Sequence, residues 1–309
     1  MTPKPFRSAN AQPPQAQRSP SKKLWLAAIE PPMYSVAIMP IVLGTAIAFH
    51  ETQTIHSAIF LTFLVSAILI LAWENITNDV FDSETGIDQN KHHSLVNLTG
   101  KKNLVFAIGN LFLGLGLLGI GAIAIWQQDV TVPGLILLCC ALGYAYQGPP
   151  FRLGYQGLGE ILCFFAFGPL AVSAAYYSQN QSWSFTNGVA SIILGISTSL
   201  ILFCSHFHQE ADDRAAGKRS PIVRLGTRRA VQLLPWLCGS LFGLTVVCVL
   251  LQIFPAWTLL IFASLPPAIR LVRHVSAHHH LPERVSNCKF IAVNLHFWSG
   301  VLLCIGFLL

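Results

Sequence analysis

Long apolar runs, separated by short polar segments, repeat along the chain from about residue 24 to its end. A helix of about 20 apolar residues crosses the hydrocarbon core of a bilayer, and in lipid each segment must satisfy its own backbone hydrogen bonds. The pattern therefore predicts an all-α bundle of nine transmembrane helices in a single domain, residues 23–309. The predicted spans are residues 24–49, 57–80, 103–126, 130–146, 157–178, 188–207, 231–253, 256–273 and 288–309.

The composition agrees with a membrane protein. Hydrophobic residues make up 53% of the 309 residues, charged residues only 10%, and the mean hydropathy is +0.57. The eight cysteines lie in or beside apolar runs and form no CxxC pair, so we expect buried, reduced thiols. Residues 1–22 are rich in Pro, Gln and Ser and contain no acid. We expect a disordered tail there, and an organelle-targeting segment is the alternative.

Basic residues occur only on alternate connections between the predicted spans. All 19 Lys and Arg residues fall within 4–23, 91–102, 152, 214–229 and 270–289. Because cytoplasmic loops carry an excess of Lys and Arg, this alternation predicts a cytoplasmic N-terminus and an odd number of spans. The formal net charge of +6 is explained by this topology, and binding to nucleic acid is not needed to account for it.

Acidic residues are concentrated in two short stretches, one after the second predicted span and one after the sixth. Together these stretches hold eight of the 13 Asp and Glu residues. Asn75, Asp79 and Asp82 are spaced i, i+4, i+7 on one helical face, and Gln209 and Asp213 are spaced i, i+4. Carboxylates that stack at a helix C-terminus repel one another and oppose the macrodipole. A cation between them removes both penalties, and an all-oxygen ligand set favours Mg²⁺.

Basic residues follow each acidic stretch, namely Lys91, Lys101 and Lys102 after the first and Arg214, Lys218, Arg219 and Arg224 after the second. Mg²⁺ takes one or two carboxylates and completes its shell with water and substrate phosphates. Lys and Arg bind the remaining phosphate oxygens. The combination predicts a diphosphate site. The alternative is a solvated loop whose charges only set topology, which requires basic residues but no stacked carboxylates.

Several motifs make the chain resemble the UbiA superfamily of intramembrane prenyltransferases. The residues that carry the resemblance are "NITNDVFDSETGID" after the second span and a second acidic motif after the sixth. The stretches "GYAYQGPPFRLGYQGLGE" and "DDRAAGKRSPIVRLGT" resemble the menaquinone-pathway branch, which prenylates 1,4-dihydroxy-2-naphthoate. The stretches "HHSLVNLTG" and "CSHFHQ" resemble the cyanobacterial and plastid members, which attach a phytyl chain.

The resemblance implies site residues of three kinds. Metal ligands would be Asn75, Asp79, Asp82, Gln209, Asp212 and Asp213, with Asp79, Asp82 and Asp213 acting in catalysis. Residues that bind substrate would be Lys91, Tyr146, Arg152, Arg214 and Lys218. The second family motif is usually DxxxD, and here Gln209 stands where its first Asp is expected, so Glu210 or Asp212 is an alternative ligand.

The implied reaction is the transfer of a phytyl group from phytyl diphosphate to 1,4-dihydroxy-2-naphthoate, with Mg²⁺ as cofactor and with loss of CO₂ and pyrophosphate. Its setting would be a plasma or thylakoid membrane of a cyanobacterium, or a plastid membrane. Rival interpretations are a UbiA-type enzyme with a chlorophyll or homogentisate acceptor, and a secondary transporter. A transporter is disfavoured because transporters place ionisable groups near the bilayer midplane, whereas the acids here lie at predicted helix ends.

Overall fold

The computed structural model describes residues 22–87 and 94–309, and within these ranges the chain is helical and contains no β-strand. Short 3₁₀ segments occupy Pro31–Tyr34 and Ala256–Ser264, and a π-helical turn occupies Ala166–Leu170. The α-helices are α1 Lys22–Ile29, α2 Ser35–Thr52, α3 Ser57–Thr85, α4 Leu95–Thr99, α5 Lys102–Gln127, α6 Thr131–Gln147, α7 Gly159–Phe165, α8 Ala171–Asn180, α9 Phe185–Ala215, α10 Pro221–Leu225, α11 Thr227–Leu250, α12 Leu265–His278, α13 Pro282–Val285 and α14 Cys288–Leu308.

Eight helical segments in the described part of the chain are long and apolar enough to cross a membrane. They correspond to eight of the nine predicted spans. The remaining prediction, at 130–146, matches α6, an apolar helix of 17 residues that is shorter than the others. The prediction of an all-helical membrane bundle is therefore confirmed, while the count of nine spans and the side of the N-terminus stay predictions.

Two helices extend beyond the apolar runs that predicted them. Helix α3 continues to Thr85, and α9 continues to Ala215, so the predicted metal ligands Asn75, Asp79, Asp82, Gln209, Asp212 and Asp213 all lie on helix. Gly86 ends α3 in the left-handed conformation, with φ of 77°, which glycine adopts without the clash that a Cβ would cause. The i, i+4 spacing of the acids is consequently realised along helical faces.

The first predicted span is interrupted near its start. Helix α1 ends at Ile29, Glu30 takes a left-handed conformation with φ of 45°, and Pro31 and Pro32 begin a 3₁₀ turn that leads into α2. Proline removes a backbone donor and disfavours helix in the preceding residue. The pair therefore forces a change of direction, which brings Glu30 to the same end of the bundle as the acidic motifs.

Helices α2, α9 and α14 form the centre of the bundle, where α9 packs against α2, α7, α11 and α14. The most apolar stretch of α9 is 61% buried, whereas that of α5 is 22% buried and leaves large apolar side chains such as Leu118 and Ile125 exposed. Exposed apolar surface of this extent suits contact with lipid rather than water. The helices thus enclose an interior that is bounded by apolar surfaces, and the polar side chains of the candidate site project into it.

Candidate active site

One cavity of about 490 Å³ opens among α2, α3, α6, α7 and α9. Its body is lined by apolar side chains, including Phe63, Ile70, Ile136 and Leu162. Its polar end is lined by Glu30, Asn75, Asn78, Asp79, Asp82, His206, His208, Gln209, Asp212, Asp213, Lys218 and Lys289. We call this end of the bundle the acidic end. Asp82 and Gln209, which are 127 positions apart in the chain, thus line a single space.

At the acidic end of α3 the two aspartates have different surroundings. Asp79 is only 5% exposed, and its Oδ2 accepts the backbone N–H of Leu95 at 2.8 Å. This bond satisfies an otherwise unpaired donor in the first turn of α4. Asp82 is half-buried, and its Oδ1 accepts the hydroxyl of Tyr155 at 3.0 Å. Both carboxylates are consequently held in place from outside the helix that carries them.

At the acidic end of α9, Asp213 is fully buried and paired with two cationic or potentially cationic side chains. His206 Nδ1 lies 2.9 Å from Asp213 Oδ2, and Lys218 Nζ lies 3.4 Å from Oδ1. His206 Nε2 in turn lies 3.6 Å from a carboxylate oxygen of Glu160, on α7. A buried carboxylate needs such partners because desolvation of an isolated charge costs several kcal/mol or more.

Tyr155 connects the two acidic helix ends. Its hydroxyl bonds to Asp82 and, at 2.6 Å, to Thr85 Oγ1, while Lys218 Nζ lies 5.7 Å from the centre of its ring. Its backbone carbonyl accepts the N–H of Arg219 at 2.7 Å. Burial and the neighbouring charge of Asp82 raise the pKa of the Tyr155 hydroxyl well above its ordinary value, so the hydroxyl stays protonated as a donor.

The loop that carries Tyr155, residues 148–158, is fitted closely beneath the segment after α9. Gly157 has φ of 80°, and a Cβ at this position would overlap the backbone carbonyl of Arg219. The Arg224 guanidinium donates to the backbone carbonyl of Gln156. Glycine permits both the left-handed conformation and the close approach, and the loop therefore fixes the distance between the two motifs.

Most predicted site residues line this cavity, namely Asn75, Asp79, Asp82, Tyr146, Gln209, Asp212, Asp213 and Lys218. The lining does not include Arg152 or Arg214. Arg152 pairs with Glu84 at 3.1 Å, and Arg214 pairs with Glu210 at 2.6 Å with 63% of its side chain exposed. Lys91 lies outside the described residues. Contact of these three with substrate stays a prediction.

Several residues in or beside the cavity were not predicted from the sequence. Glu30 and Lys289 form an ion pair with Nζ–O distances of 2.7 and 2.9 Å, although 259 positions separate them. No local pattern predicts such a pair. Tyr155 lies within one of the motifs that carry the family resemblance. The sequence therefore indicated that its position matters but not which role it has. Glu74 was counted among the clustered acids but not as a member of the site.

The donor set fits a hard divalent cation. Carboxylate and amide oxygens from α3 and α9 converge on one end of the cavity, and oxygen is the ligand that Mg²⁺ prefers. Among the described residues, no three His, Cys, Asp or Glu side chains lie close enough together to hold a metal ion by themselves. An open arrangement of this kind matches Mg²⁺ sites that use one or two carboxylates and are completed by phosphate oxygens and water.

A helical membrane bundle whose acidic motifs meet at one polar cavity end defines a class of intramembrane transferase, and the family comparison agrees. The chain belongs to the UbiA prenyltransferase family, which matches residues 37–300. It is 58% identical to the 2-carboxy-1,4-naphthoquinone phytyltransferase of Synechocystis, over 93% of this chain and 94% of that protein. It is 40% identical to the chloroplastic enzyme of the same name from Arabidopsis thaliana, over 94% of this chain and 78% of that protein.

Solved structures of the family share this fold. A UbiA homologue from Archaeoglobus fulgidus bound to DMAPP and Mg²⁺ matches with a TM-score of 0.58 at 15% identity, covering 90% of this chain and 98% of that one. The apo structure of a homologue from Aeropyrum pernix gives a TM-score of 0.61 at 12% identity, covering 90% and 97%. The predicted family and fold are thereby confirmed.

Proposed function

We propose that this protein transfers a phytyl group from phytyl diphosphate to 1,4-dihydroxy-2-naphthoate, with Mg²⁺ as cofactor, in phylloquinone synthesis. Similarity over nearly the full chain to two naphthoquinone phytyltransferases supports the donor and the class of acceptor. The observation that carries the proposal is the composition of the cavity, whose oxygen-rich end continues directly into an apolar body. An allylic diphosphate has the same two parts, a multiply charged head and a long hydrocarbon tail.

In this proposal the two acidic helix ends hold the diphosphate head between them. Asn75, Asp79 and Asp82 of α3 would ligate the metal on one side. Gln209, Asp212 and Asp213 of α9 would ligate on the other, which leaves Gln209 to contribute an amide oxygen where relatives of this family usually have Asp. Bound Mg²⁺ would supply positive charge that stabilises pyrophosphate as a leaving group, a contribution typically among the largest in such reactions.

The surrounding side chains position this arrangement. Lys218, held by Asp213 at 3.4 Å, places an ammonium group beside the polar end, where it would bind a phosphate oxygen. His206 and Tyr155 fix the orientation of Asp213 and Asp82 through bonds of 2.9 and 3.0 Å. Such preorganisation lowers the cost of aligning charge in the transition state. The apolar wall excludes water, which would otherwise capture the allylic cation.

The bond changes require no strong base. The allylic C–O bond breaks and its electron pair leaves with pyrophosphate, and a ring carbon bearing the carboxylate supplies the electrons of the new C–C bond. The bond to the carboxylate then breaks, and its electron pair returns to the ring as CO₂ leaves. When the acceptor enters as a carboxylate, no proton is released overall. Tyr146, which lines the cavity, would face the cation with its ring.

The proposal is tested with purified protein in lipid nanodiscs under anaerobic conditions. Phytyl diphosphate and dihydroxynaphthoate should yield prenylated naphthoquinol, CO₂ and pyrophosphate in equal amounts, and EDTA should stop the reaction until Mg²⁺ is restored. Geranylgeranyl diphosphate and longer donors test chain length, and homogentisate and chlorophyllide test the acceptor. Turnover of homogentisate or chlorophyllide but not of the naphthoate would reject the proposed acceptor while leaving prenyl transfer intact.

A further inference from the structure

Glu74 is an acidic residue of the cavity wall that the diphosphate site does not use. It lies on α3 within the predicted span 57–80 and lines the cavity where the polar end gives way to the apolar body. It is five positions before Asp79 in the sequence, which along a helix corresponds to about 7.5 Å toward the membrane interior. Carboxyl groups inside a transmembrane segment are costly, and they occur chiefly where function requires them.

The carboxyl group of Glu74 makes no hydrogen bond or ion pair with any other described residue. Only its backbone carbonyl is engaged, by the amide of Gln147 at 3.1 Å and the hydroxyl of Thr77 at 3.3 Å. Structural acids in this protein are different, since Glu51 receives hydrogen bonds from Tyr176 and Ser184. A role in holding helices together therefore does not account for the Glu74 side chain.

The neighbouring helix α6 leaves room for this side chain. Gly143 of α6 faces Glu74, and a Cβ at position 143 would overlap the Glu74 carboxylate. Cys140, one helical turn earlier on α6, also lines the cavity. The small residues of α6 thus leave room for the Glu74 carboxyl group at the wall of the cavity. The wall supplies space, and a ligand would supply the missing hydrogen bond.

We propose that Glu74 binds the acceptor by accepting a hydrogen bond from one of its ring hydroxyl groups, an inference that rests on the proposed function. A carboxyl group offers two acceptor oxygens, and a phenolic hydroxyl is a matching donor. Along the axis of α3, Glu74 is next to Asn75 and about 7.5 Å from Asp79, on the side of the apolar body of the cavity. A ring anchored there presents its reacting carbon toward the allylic end of the donor.

This contact selects the oxidation state of the acceptor. A 1,4-dihydroxynaphthoate carries two hydroxyl donors, whereas a 1,4-naphthoquinone carries only carbonyl acceptors at the same positions. When Glu74 is ionised it only accepts hydrogen bonds, and it then discriminates strongly against a ligand that lacks the donor, because the carboxylate is left unpaired. The dihydroxy form is accordingly the substrate that Glu74 favours, although the relatives are named for the quinone.

The test compares Glu74→Ala and Glu74→Gln with the wild-type protein in nanodiscs under anaerobic conditions. Glu74→Ala should raise the KM for dihydroxynaphthoate by about 10- to 100-fold, the range expected for loss of a hydrogen bond to a charged group. The KM for phytyl diphosphate should change by less than about twofold. Glu74→Gln keeps one acceptor oxygen and should show a smaller rise. Equilibrium dialysis with dihydroxynaphthoate alone, without Mg²⁺ or donor, should show the same order of affinities.

Two measurements separate this role from a structural one. The wild-type protein should bind dihydroxynaphthoate more tightly than 2-carboxy-1,4-naphthoquinone, and Glu74→Ala should reduce that preference. Thermal unfolding of Glu74→Ala should occur at the wild-type temperature or above it, because an unpaired polar group is removed. Glu283→Gln, an exposed change outside the cavity, is the matched control and should change none of these values.

Unchanged naphthoate KM and affinity in Glu74→Ala would overturn the inference, as would a wild-type protein that binds quinone and quinol equally well. Failure of the proposed function looks different. In that case the wild-type protein would not prenylate the naphthoate at all, and no Glu74 variant would need to be made. A fall in unfolding temperature together with an unchanged acceptor preference would assign Glu74 to the structure instead.

Discussion

Carboxylates occur at both ends of this bundle, but their surroundings differ. At the end opposite the acidic end, Glu51 receives the hydroxyls of Tyr176 and Ser184, the latter at 2.6 Å. Asp129 accepts the backbone N–H of Thr131 at 2.6 Å and the hydroxyl of Tyr177 at 2.9 Å. Hydrogen bonds from Thr131 and Tyr177 lower the pKa of Asp129. These acids tie helices to loops, and their oxygens are occupied by neutral donors.

At the acidic end, Asp79, Asp82 and Asp213 line a cavity. Their contacts include the Leu95 N–H, the Tyr155 hydroxyl and the Lys218 ammonium group. The difference teaches that residue type alone does not identify a functional acid in a membrane bundle. Whether the carboxylate lines a cavity, as Asp79 does and Glu51 does not, is the more informative property.

The strongest test of the difference between the two ends is to neutralise one acid at each end. Asp79→Asn should reduce turnover by at least about 10³-fold, because charge stabilisation of the leaving group is lost, while the variant remains folded. Glu51→Gln should leave kcat within about twofold. Weaker hydrogen bonds to residue 51 should instead reduce the free energy of unfolding of Glu51→Gln by about 1–2 kcal/mol. Pyrophosphate release and thermal unfolding in nanodiscs measure the two effects.

Lys218 tests whether the cation beside Asp213 serves substrate as well as structure. Lys218→Met should lower kcat/KM for phytyl diphosphate by about 10²-fold, since a phosphate contact is lost and a buried carboxylate loses a partner. Lys218→Arg should recover part of the activity. A variant whose stability falls but whose kcat/KM is preserved would confine Lys218 to a structural role.

Substitution of Tyr155 should have a smaller effect on kcat, and it tests a single hydrogen bond. Tyr155→Phe retains the ring near Lys218 but removes the donor to Asp82, and we expect kcat to fall by about tenfold. Tyr144→Phe is the matched control, because the Tyr144 hydroxyl bonds to the carbonyl of Pro149 and not to the acidic motifs. Equal losses in both variants would contradict the bridging role of Tyr155.

Arg214 should give the smallest effect. Its side chain is exposed and paired with Glu210, and exposed ion pairs contribute about 0–1 kcal/mol. Arg214→Ala should therefore change kcat/KM by less than about fivefold, measured at low and physiological salt. A loss comparable to that of Lys218→Met would mean that Arg214 turns toward the diphosphate when substrate binds, as the family resemblance implies.

Periodicity and charge predicted the helical membrane fold because lipid leaves the backbone few alternatives. Hydropathy alone could not set where α3 and α9 end, since it falls where the helix persists, although the spacing of the acids indicated a helical face. Pro31 and Pro32 were visible in the sequence, but the direction of the chain after Glu30 depends on its pairing with Lys289, a contact across the whole length of the fold.

In the site, helical spacing was sufficient to group Asn75, Asp79 and Asp82. It could not decide which way a basic side chain points, because a long side chain at a helix end reaches several partners. Arg152 pairs with Glu84 outside the cavity, whereas Lys218 lines the cavity. Glu74 could not be singled out from the sequence for a related reason. Only the packing of α3 against α6 reveals that its side chain has no partner among the described residues.

The ion pair between Glu30 and Lys289 joins the start of the first membrane segment to the last helix at the edge of the cavity. During biosynthesis the first segment enters the membrane long before α14 is made, so this ring of helices stays open until translation is nearly complete. An unfinished chain would hold the acids without the closing contact. The contact between the first and last membrane segments can therefore form only when translation is nearly complete.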